Sequence, residues 1–379
     1  MRSAVFETPL GDCAIVHGEQ GMRRFLLPEA SRARLRARLR ELEPGAVEEP
    51  PSEAVAGMIE AVLARLAPGA RPWRHARDPL AAVPVDLAAV SPFARRVYTA
   101  LRDVPPGSTV SYGELARRAG SPGGARAIGR TMAQNPIPLV IPCHRVLAAG
   151  GKPGGFSAPG GVATKAKLLA LEGLALAAEP FDPAEATAAI ARVDPTLRRV
   201  VRRVGPFAVK LGRERTTFET LAKAIAHQQL SGAAAKTIWG RFQAQFPDAE
   251  AVLAAPQEAL RGVGLSRAKA AAIHDLASRV AAGSIPDLAE LRRLTDERVI
   301  DVLTQVRGVG RWTVEMLLIF RLGRPDVLPV DDYALRKAAA SLTGRGDVLS
   351  PIELAALGER WRPHRSVASW YLWRSLDQS

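Results

Sequence analysis

At 379 residues the chain is long for one domain and natural for two or three, and its 47% hydrophobic residues can fill their cores. Lysine and arginine number 52 against 38 acidic residues, a formal net charge of +14; that balance suits a polyanion such as nucleic-acid phosphate, although a generally arginine-rich composition gives the same excess with no partner. Two cysteines, Cys13 and Cys143, and six histidines without HxxxH or CxxC spacing exclude a four-thiolate zinc site, an iron–sulfur cluster and a disulfide framework, so no metal is expected.

Residues 1–30 read as strands and turns: "AVFETPLGDCAIV" alternates and breaks at Pro9-Leu10-Gly11. The opening lacks the apolar run and cleavage site of a signal peptide, and no later stretch approaches a membrane span. The expectation is a cytoplasmic, nucleoid-associated protein with no membrane contact. Residues 29–43, "EASRARLRARLRELE", predict a helix with Leu35, Leu39 and Leu42 on one face and its arginines on a solvated face. After the break "EEPPSE" a helix is predicted over 53–66, and "VPVDL" at 83–87 reads as one further strand.

From Ser91 the pattern turns helical, with Ser91 at an N-cap and Pro92 at the first helical position. Two short helices, about 111–119 and 124–134, flank a Gly-Ser-Pro-Gly-Gly turn, the spacing of a helix-turn-helix. Then comes "LVIPCHRVL", where Cys143 stands between Pro142 and His144. A reactive thiol needs rigid placement and a base, whereas any core position serves an inert one. Cys13 is read as the inert thiol. "AAEPFDPAEATA" around 177–188 is the expected linker, and everything beyond it is predicted helical.

Within that second half an element nearly repeats, as "LRGVGLSRAKAAAI" (260–273) and "VRGVGRWTVEMLLI" (306–319). Paired glycines between helices permit a tight hairpin whose free amides suit a DNA phosphate. Past the second copy, "LPVDDYALRKA" sets Asp331 and Asp332 before a new helix, one read as the helix cap and the other as chemically active. Trp312 and Trp373 offer faces on which a base could stack.

With "DPTLRRVVRRVG", "FETLAKAIAHQQLSGAAAKTI", "GVGRWTVEMLLIF" and "ERWRPHRSVASWYLW", residues 190–379 resemble the helix–hairpin–helix DNA glycosylases of the 3-methyladenine DNA glycosylase II branch. The resemblance makes Asp332 the catalytic carboxylate, leaves Asp331 to support the helix start, and puts Gly308 and Gly310 at the DNA backbone. Relatives that also cut the strand carry lysine at the Trp312 position, so base excision without strand cleavage is implied. The four-cysteine cluster of some relatives is absent.

The first half, through "VSYGELARRAG", "ARAIGRTMAQNP" and "IPCHRVLAAGGKPGGFS", resembles the O6-alkylguanine-DNA alkyltransferases over about 1–176. That resemblance makes Cys143 the irreversible alkyl acceptor, His144 a proton relay through water, Glu172 the group that orients His144, and Asn135 a hinge that organises the site. It assigns Arg126 to the stack vacated by a flipped nucleotide, Tyr112 to that nucleotide's phosphate, and Ser157 to the guanine oxygen; Phe156 stands where many relatives have Tyr.

Together these imply a multidomain α+β then all-α chain: an RNase H-like α/β subdomain with a small β-sheet at 1–88, a helix-turn-helix catalytic subdomain at 89–176, the linker 177–188, and a two-lobed all-α glycosylase domain at 189–379. The expected activity is suicidal alkyl transfer from O6-alkylguanine joined to excision of N-alkylated purines such as 3-methyladenine. The expected partner is double-stranded DNA with alkylated bases, bound by a monomer without cofactors; the 306–311 hairpin is a candidate for a structural monovalent cation. An alkylation-responsive regulator needs a four-cysteine module that two cysteines exclude, and a passive lesion binder would lack Cys143. An alkyltransferase with a non-catalytic helix–hairpin–helix clamp stays as the alternative.

Overall fold

The computed structural model describes residues 1–67, 78–176, 181–209, 211–230 and 232–376, in two compact units, Met1–Ala177 and Ala178–Ser379. The first unit opens with strands β1 (Arg2–Thr8), β2 (Gly11–Gly18) and β3 (Gly21–Leu26), paired antiparallel in sequence. A short strand β4 (Val47–Glu48), not anticipated from the sequence, adds in parallel to β1. The helix Arg32–Leu42 buries Leu35 and Leu39 on the sheet, and the helix Glu53–Leu66 buries Val55, Met58, Val62 and Leu66. The strand expected at 83–87 is reduced to one bridge, Met22 with Val85. Pro84 has no N–H to extend a ladder; its carbonyl accepts from Met22, and the Asp86 N–H bonds back to the Met22 carbonyl.

The helix Pro92–Arg102 starts as expected, Ser91 accepting from the Ala94 N–H. The helix-turn-helix is Tyr112–Arg118 and Ala125–Ala133. Phe25, Val62, Tyr98, Ile128 and Ile141 belong to one core cluster, so sheet and helical parts share a single interior.

In the second unit no strand occurs among the described residues. Of the expected linker, 177–180 lie outside the described residues, whereas Pro183–Val193 is helix. The sequence Asp182-Pro183 supplies a cap and a pre-set first position, which outweighs the scarcity of core residues there. One lobe gathers the helices Pro183–Val193, Pro195–Val204, Tyr333–Leu342 and Arg365–Leu376 around Leu197, Leu335, Trp361 and Tyr371. The other packs Thr217–His227 and Ala249–Ala254 on the helix Arg267–Ala281, with Gly232–Gln245 against Thr217–His227, and ends in the pair Asp296–Leu303 and Arg311–Phe320.

Candidate active sites

In the first unit, Cys143 starts a short 3-10 turn, Cys143–Arg145, running into the strand Val146–Leu147, which pairs in parallel with Val110–Ser111 at the start of the helix-turn-helix. The approach is tightly held. Asn135 donates to the Ile141 carbonyl (2.8 Å) and accepts from the Ile137 N–H (3.0 Å), while Leu139 sits at φ +74°, a conformation that costs energy for a branched side chain. Burial pushes the Cys143 thiol up; a hydrogen bond from Asn135 and the Lys165 charge act against it.

His144 is wholly buried and its Nε2 lies 2.8 Å from Glu172 Oε1. Burial would raise Glu172, but His144 and Arg145 outweigh it and hold the carboxyl far below the usual range; burial keeps His144 below its own. The pair is therefore a neutral imidazole donating Nε2–H to a carboxylate. His144 Nδ1 has no hydrogen-bond partner and is left as a buried acceptor. His144 follows the protonated thiol in the chain and keeps one ring nitrogen free to take a proton, the chemical pieces of a nucleophile and its base.

Cys143 faces two cavities. One, about 380 Å³, is lined by Tyr112, Gly129, Met132, Ala133, Gly155, Phe156 and Ser157. The other, about 290 Å³, runs along Asn135, Pro136, Pro138 and Phe156–Pro159. Tyr112 is raised by burial and by Cys143, so it keeps its proton at neutral pH. Arg126 is exposed one turn before Gly129 on the same helix and lines neither cavity. Ser157 lines both cavities, and its hydroxyl donates to the Ala133 carbonyl (3.1 Å). Cys13 is buried under the sheet, its thiol pushed up to about 12 by burial.

Three residues beside the thiol carry no sequence-assigned role. Arg65 and Arg145 both bond Glu172, Arg145 through Nε at 3.0 Å and also to the Val104 carbonyl at 2.6 Å. Lys165, also buried, donates to the Val146 carbonyl (2.6 Å) and is lowered to about 8 by burial. Arg65 and Lys165 share one detectable signal, a charge on an apolar stripe: Arg65 follows Val55, Met58 and Val62, and Lys165 precedes Leu168 and Leu169.

In the second unit, Asp332 lies where the lobes meet. Its Oδ1 accepts from the Leu335 N–H (2.7 Å) and from Trp373 Nε1 (3.2 Å), and its Oδ2 from Trp312 Nε1 (2.8 Å). This corrects the division of labour expected for the aspartate pair: Asp332 itself caps the helix Tyr333–Leu342, and Asp331 is exposed. An extended backbone at Asp332 brings its carboxylate over the first turn, so one residue both caps and faces the indoles. Trp312 stays 45% exposed and walls a cavity of about 780 Å³ with Met316, Phe320, His227, Lys223 and Glu214. Trp373 packs on Phe320, ring centroids 5.8 Å apart. Leu230, 38% exposed, follows Gln229, which lines this cavity at φ +56°; its sequence neighbourhood carries no signal of a site.

The hairpin joins Asp296–Leu303 to Arg311–Phe320; Gly308 takes φ +74°, open to glycine at no cost, and Gly310 is the N-cap. The Gly308 carbonyl accepts from Gln228 Nε2 (3.1 Å) and the Val306 carbonyl from the Val309 N–H (3.1 Å). Among the described residues no group of three His, Cys, Asp or Glu side chains could hold a metal.

Residues 92–174 match the family model described as 6-O-methylguanine DNA methyltransferase, DNA binding domain. Residues 222–363 match that of the HhH-GPD superfamily base excision DNA repair protein. DNA-3-methyladenine glycosylase 1 of Schizosaccharomyces pombe is 36% identical over 189 residues, 48% of this chain and 83% of that protein. A methylated-DNA–protein-cysteine methyltransferase of Mycolicibacterium paratuberculosis is 52% identical over 82 residues, 22% of this chain and 48% of that protein. The chain thus spans about half the length of that curated methyltransferase. A solved Schizosaccharomyces pombe 3-methyladenine DNA glycosylase in complex with abasic DNA is 35% identical, covers 51% of this chain and 97% of its own, and has a TM-score of 0.48. Hairpin, capped aspartate and sequence together define a base excision repair protein in the second half. The chain belongs to the HhH-GPD superfamily, and ahead of that domain residues 92–174 are similar to a methyltransferase DNA-binding domain.

Proposed function

We propose that the chain is a bifunctional alkylation-repair enzyme acting on duplex DNA as a monomer: a methylated-DNA–protein-cysteine methyltransferase in its first half and a monofunctional 3-methyladenine-type glycosylase in its second. The observation that carries this reading is the pairing of a buried thiol–imidazole–carboxylate set in one unit with an indole-clamped aspartate beside a cavity roomy enough for a purine in the other. We take 1–88 as an RNase H-like subdomain, 89–176 as the catalytic one and the helical half from Pro183 onward as the glycosylase, in a cytoplasmic protein.

Neither target atom is reachable inside a duplex, so each nucleotide swings out of the stack. In the first unit Arg126 fills the gap, and the guanine enters the cavity lined by Tyr112, Phe156 and Ser157. A water between His144 Nδ1 and Sγ carries the thiol proton to the imidazole, and Glu172 takes up the resulting charge through Nε2–H. The thiolate attacks the alkyl carbon: an S–C bond forms, the C–O6 bond breaks with its electron pair on the guanine, Tyr112 and Ser157 donate hydrogen bonds to the departing anion, and the proton held by His144 is returned through water, leaving guanine and imidazole neutral. The thioether is not reversed, so each molecule reacts once.

In the second unit an N-alkylated purine is cationic and already a good leaving group. The Trp312 face favours such a cation. As the N–C1′ bond breaks, the Asp332 carboxylate stabilises the oxocarbenium-like sugar, and water completes an abasic site. Trp312 offers no amine to trap that sugar, so the strand stays intact. Leu230, an exposed apolar side chain on a strained loop, suits the wedge that fills the vacated stack. A non-catalytic clamp would have no use for a carboxylate held at both oxygens beside an open cavity. The test is one incubation with DNA carrying both O6-methylguanine and 3-methyladenine, reading label on protein and free base in solution. Label without free base would favour the clamp.

A further inference from the structure

The helix Pro195–Val204 divides sharply into two faces. Leu197 and Val200 are buried, with Val201 and Val204 packed against the same core, the one that also takes Trp370 and Tyr371. At 100° per residue, Arg198, Arg199, Arg202 and Arg203 fall within an arc of about 140° on the opposite side, and all four are exposed. The face therefore turns away from the helix Arg365–Leu376, which carries Trp373 to Asp332.

No ion pair links these four arginines to a carboxylate among the described residues; Arg198 Nε bonds only the Ala191 carbonyl (2.9 Å). Asp194, which caps the helix, is buried and committed to the Thr196 and Leu197 amides and to Trp361. Several other exposed arginines of the chain are paired, and what sets these four apart is that they stand together on one face. On the arginine-rich helix Arg32–Leu42, Arg32, Arg36 and Arg38 face Asp12, Glu48 and Glu41. In the second unit Arg311, Arg345 and Arg362 each meet a carboxylate. A favourable helix dipole explains Arg202 and Arg203 in the last turn but not Arg198 and Arg199 in the first half. Four uncompensated guanidiniums within about 8 Å of helix match the rise of two or three consecutive phosphates at ~3.4 Å each along a strand.

We propose that this face is a second backbone-binding surface of the second unit, holding the phosphates of an undamaged stretch of duplex DNA while the base pocket at Asp332 samples another. The proposal rests on the reading that this unit works on DNA. Guanidiniums grip phosphate oxygens in pairs and leave base edges unread, which suits a tether during search.

The test is the full chain with Arg198, Arg199, Arg202 and Arg203 all changed to Gln, titrated against undamaged duplex across a salt series. Affinity at low salt is expected to fall about tenfold or more, with the slope of log affinity against log salt shallower by about 2 to 4. The matching Arg→Lys variant should keep most of the slope, and base release at saturating enzyme should be unchanged in both. Unaltered affinity and slope in the Gln variant would overturn the proposal. So would a loss confined to anionic phospholipid vesicles, which would make the partner a membrane. Base release by the unsubstituted chain is scored separately, so failure of the glycosylase reading cannot be mistaken for failure of this one.

Discussion

At the scale of single residues, the chemistry rests on a few side chains whose surroundings decide what they can do. Cys143→Ala should abolish methyl transfer and leave 3-methyladenine release intact, as read by label on the protein and free base from one reaction. Asp332→Asn should lower base release by about a hundredfold or more while DNA binding survives. Equal loss with Asp331→Asn would contradict the assignment, because Asp331 is exposed and touches neither indole. Arg65 is the least obvious participant. Removing it leaves Glu172 short of a buried cation, so Arg65→Met should cost ~3 kcal/mol of stability. It should also move the acid limb of the transfer reaction to higher pH, because Glu172 then protonates more readily. Arg65→Lys, measured in the same pH series, should restore part of both.

At the scale of elements, backbone freedom matters where a side chain has no room. Gly21 begins β3 at φ +119°, and a Cβ there would lie 2.5 Å from the Pro84 carbonyl oxygen. Gly21→Ala should therefore speed amide exchange in peptides of the first unit and leave those of the second unchanged. How much of this was legible depended on the kind of signal. Helix starts were readable because caps are local chemistry: Ser91-Pro92 set the helix Pro92–Arg102, and apolar spacing gave the helix Glu53–Leu66. Strand β4 was not, because two residues show no periodicity and their pairing is set by β1. The thiol with its neighbours, and Asp332, stood out as motifs. The cap role of Asp332 did not, since adjacent aspartates look alike until the backbone turns. Nor did Arg65 or Lys165, whose partners are distant in sequence or are plain carbonyls.

At the scale of the molecule, the two units should answer mild acid in opposite ways. In the first, burial holds His144 below 6.5, so as pH falls through that value the unfolded chain gains a proton the folded one refuses, and stability drops. Glu172, ordinarily 4.5 and depressed when folded, continues the loss below that pH. In the second unit, burial raises Glu315 to about 7, so between 7 and 4.5 the folded form binds the extra proton and stability rises as pH falls. Amide exchange at pH 7.5 and 5.5 should loosen the peptide around Pro92–Arg102 and tighten that around Arg311–Phe320. Two independent chemistries in one chain also require that each survive loss of the other. The most direct measurement is the intact mass of the protein, with peptide mapping, after incubation with methylated DNA, alongside assay of the released base. The account predicts one methyl group, on the peptide containing Cys143, together with free 3-methyladenine and unbroken strands. An unmodified Cys143, or strands cut without heat or alkali, would contradict it.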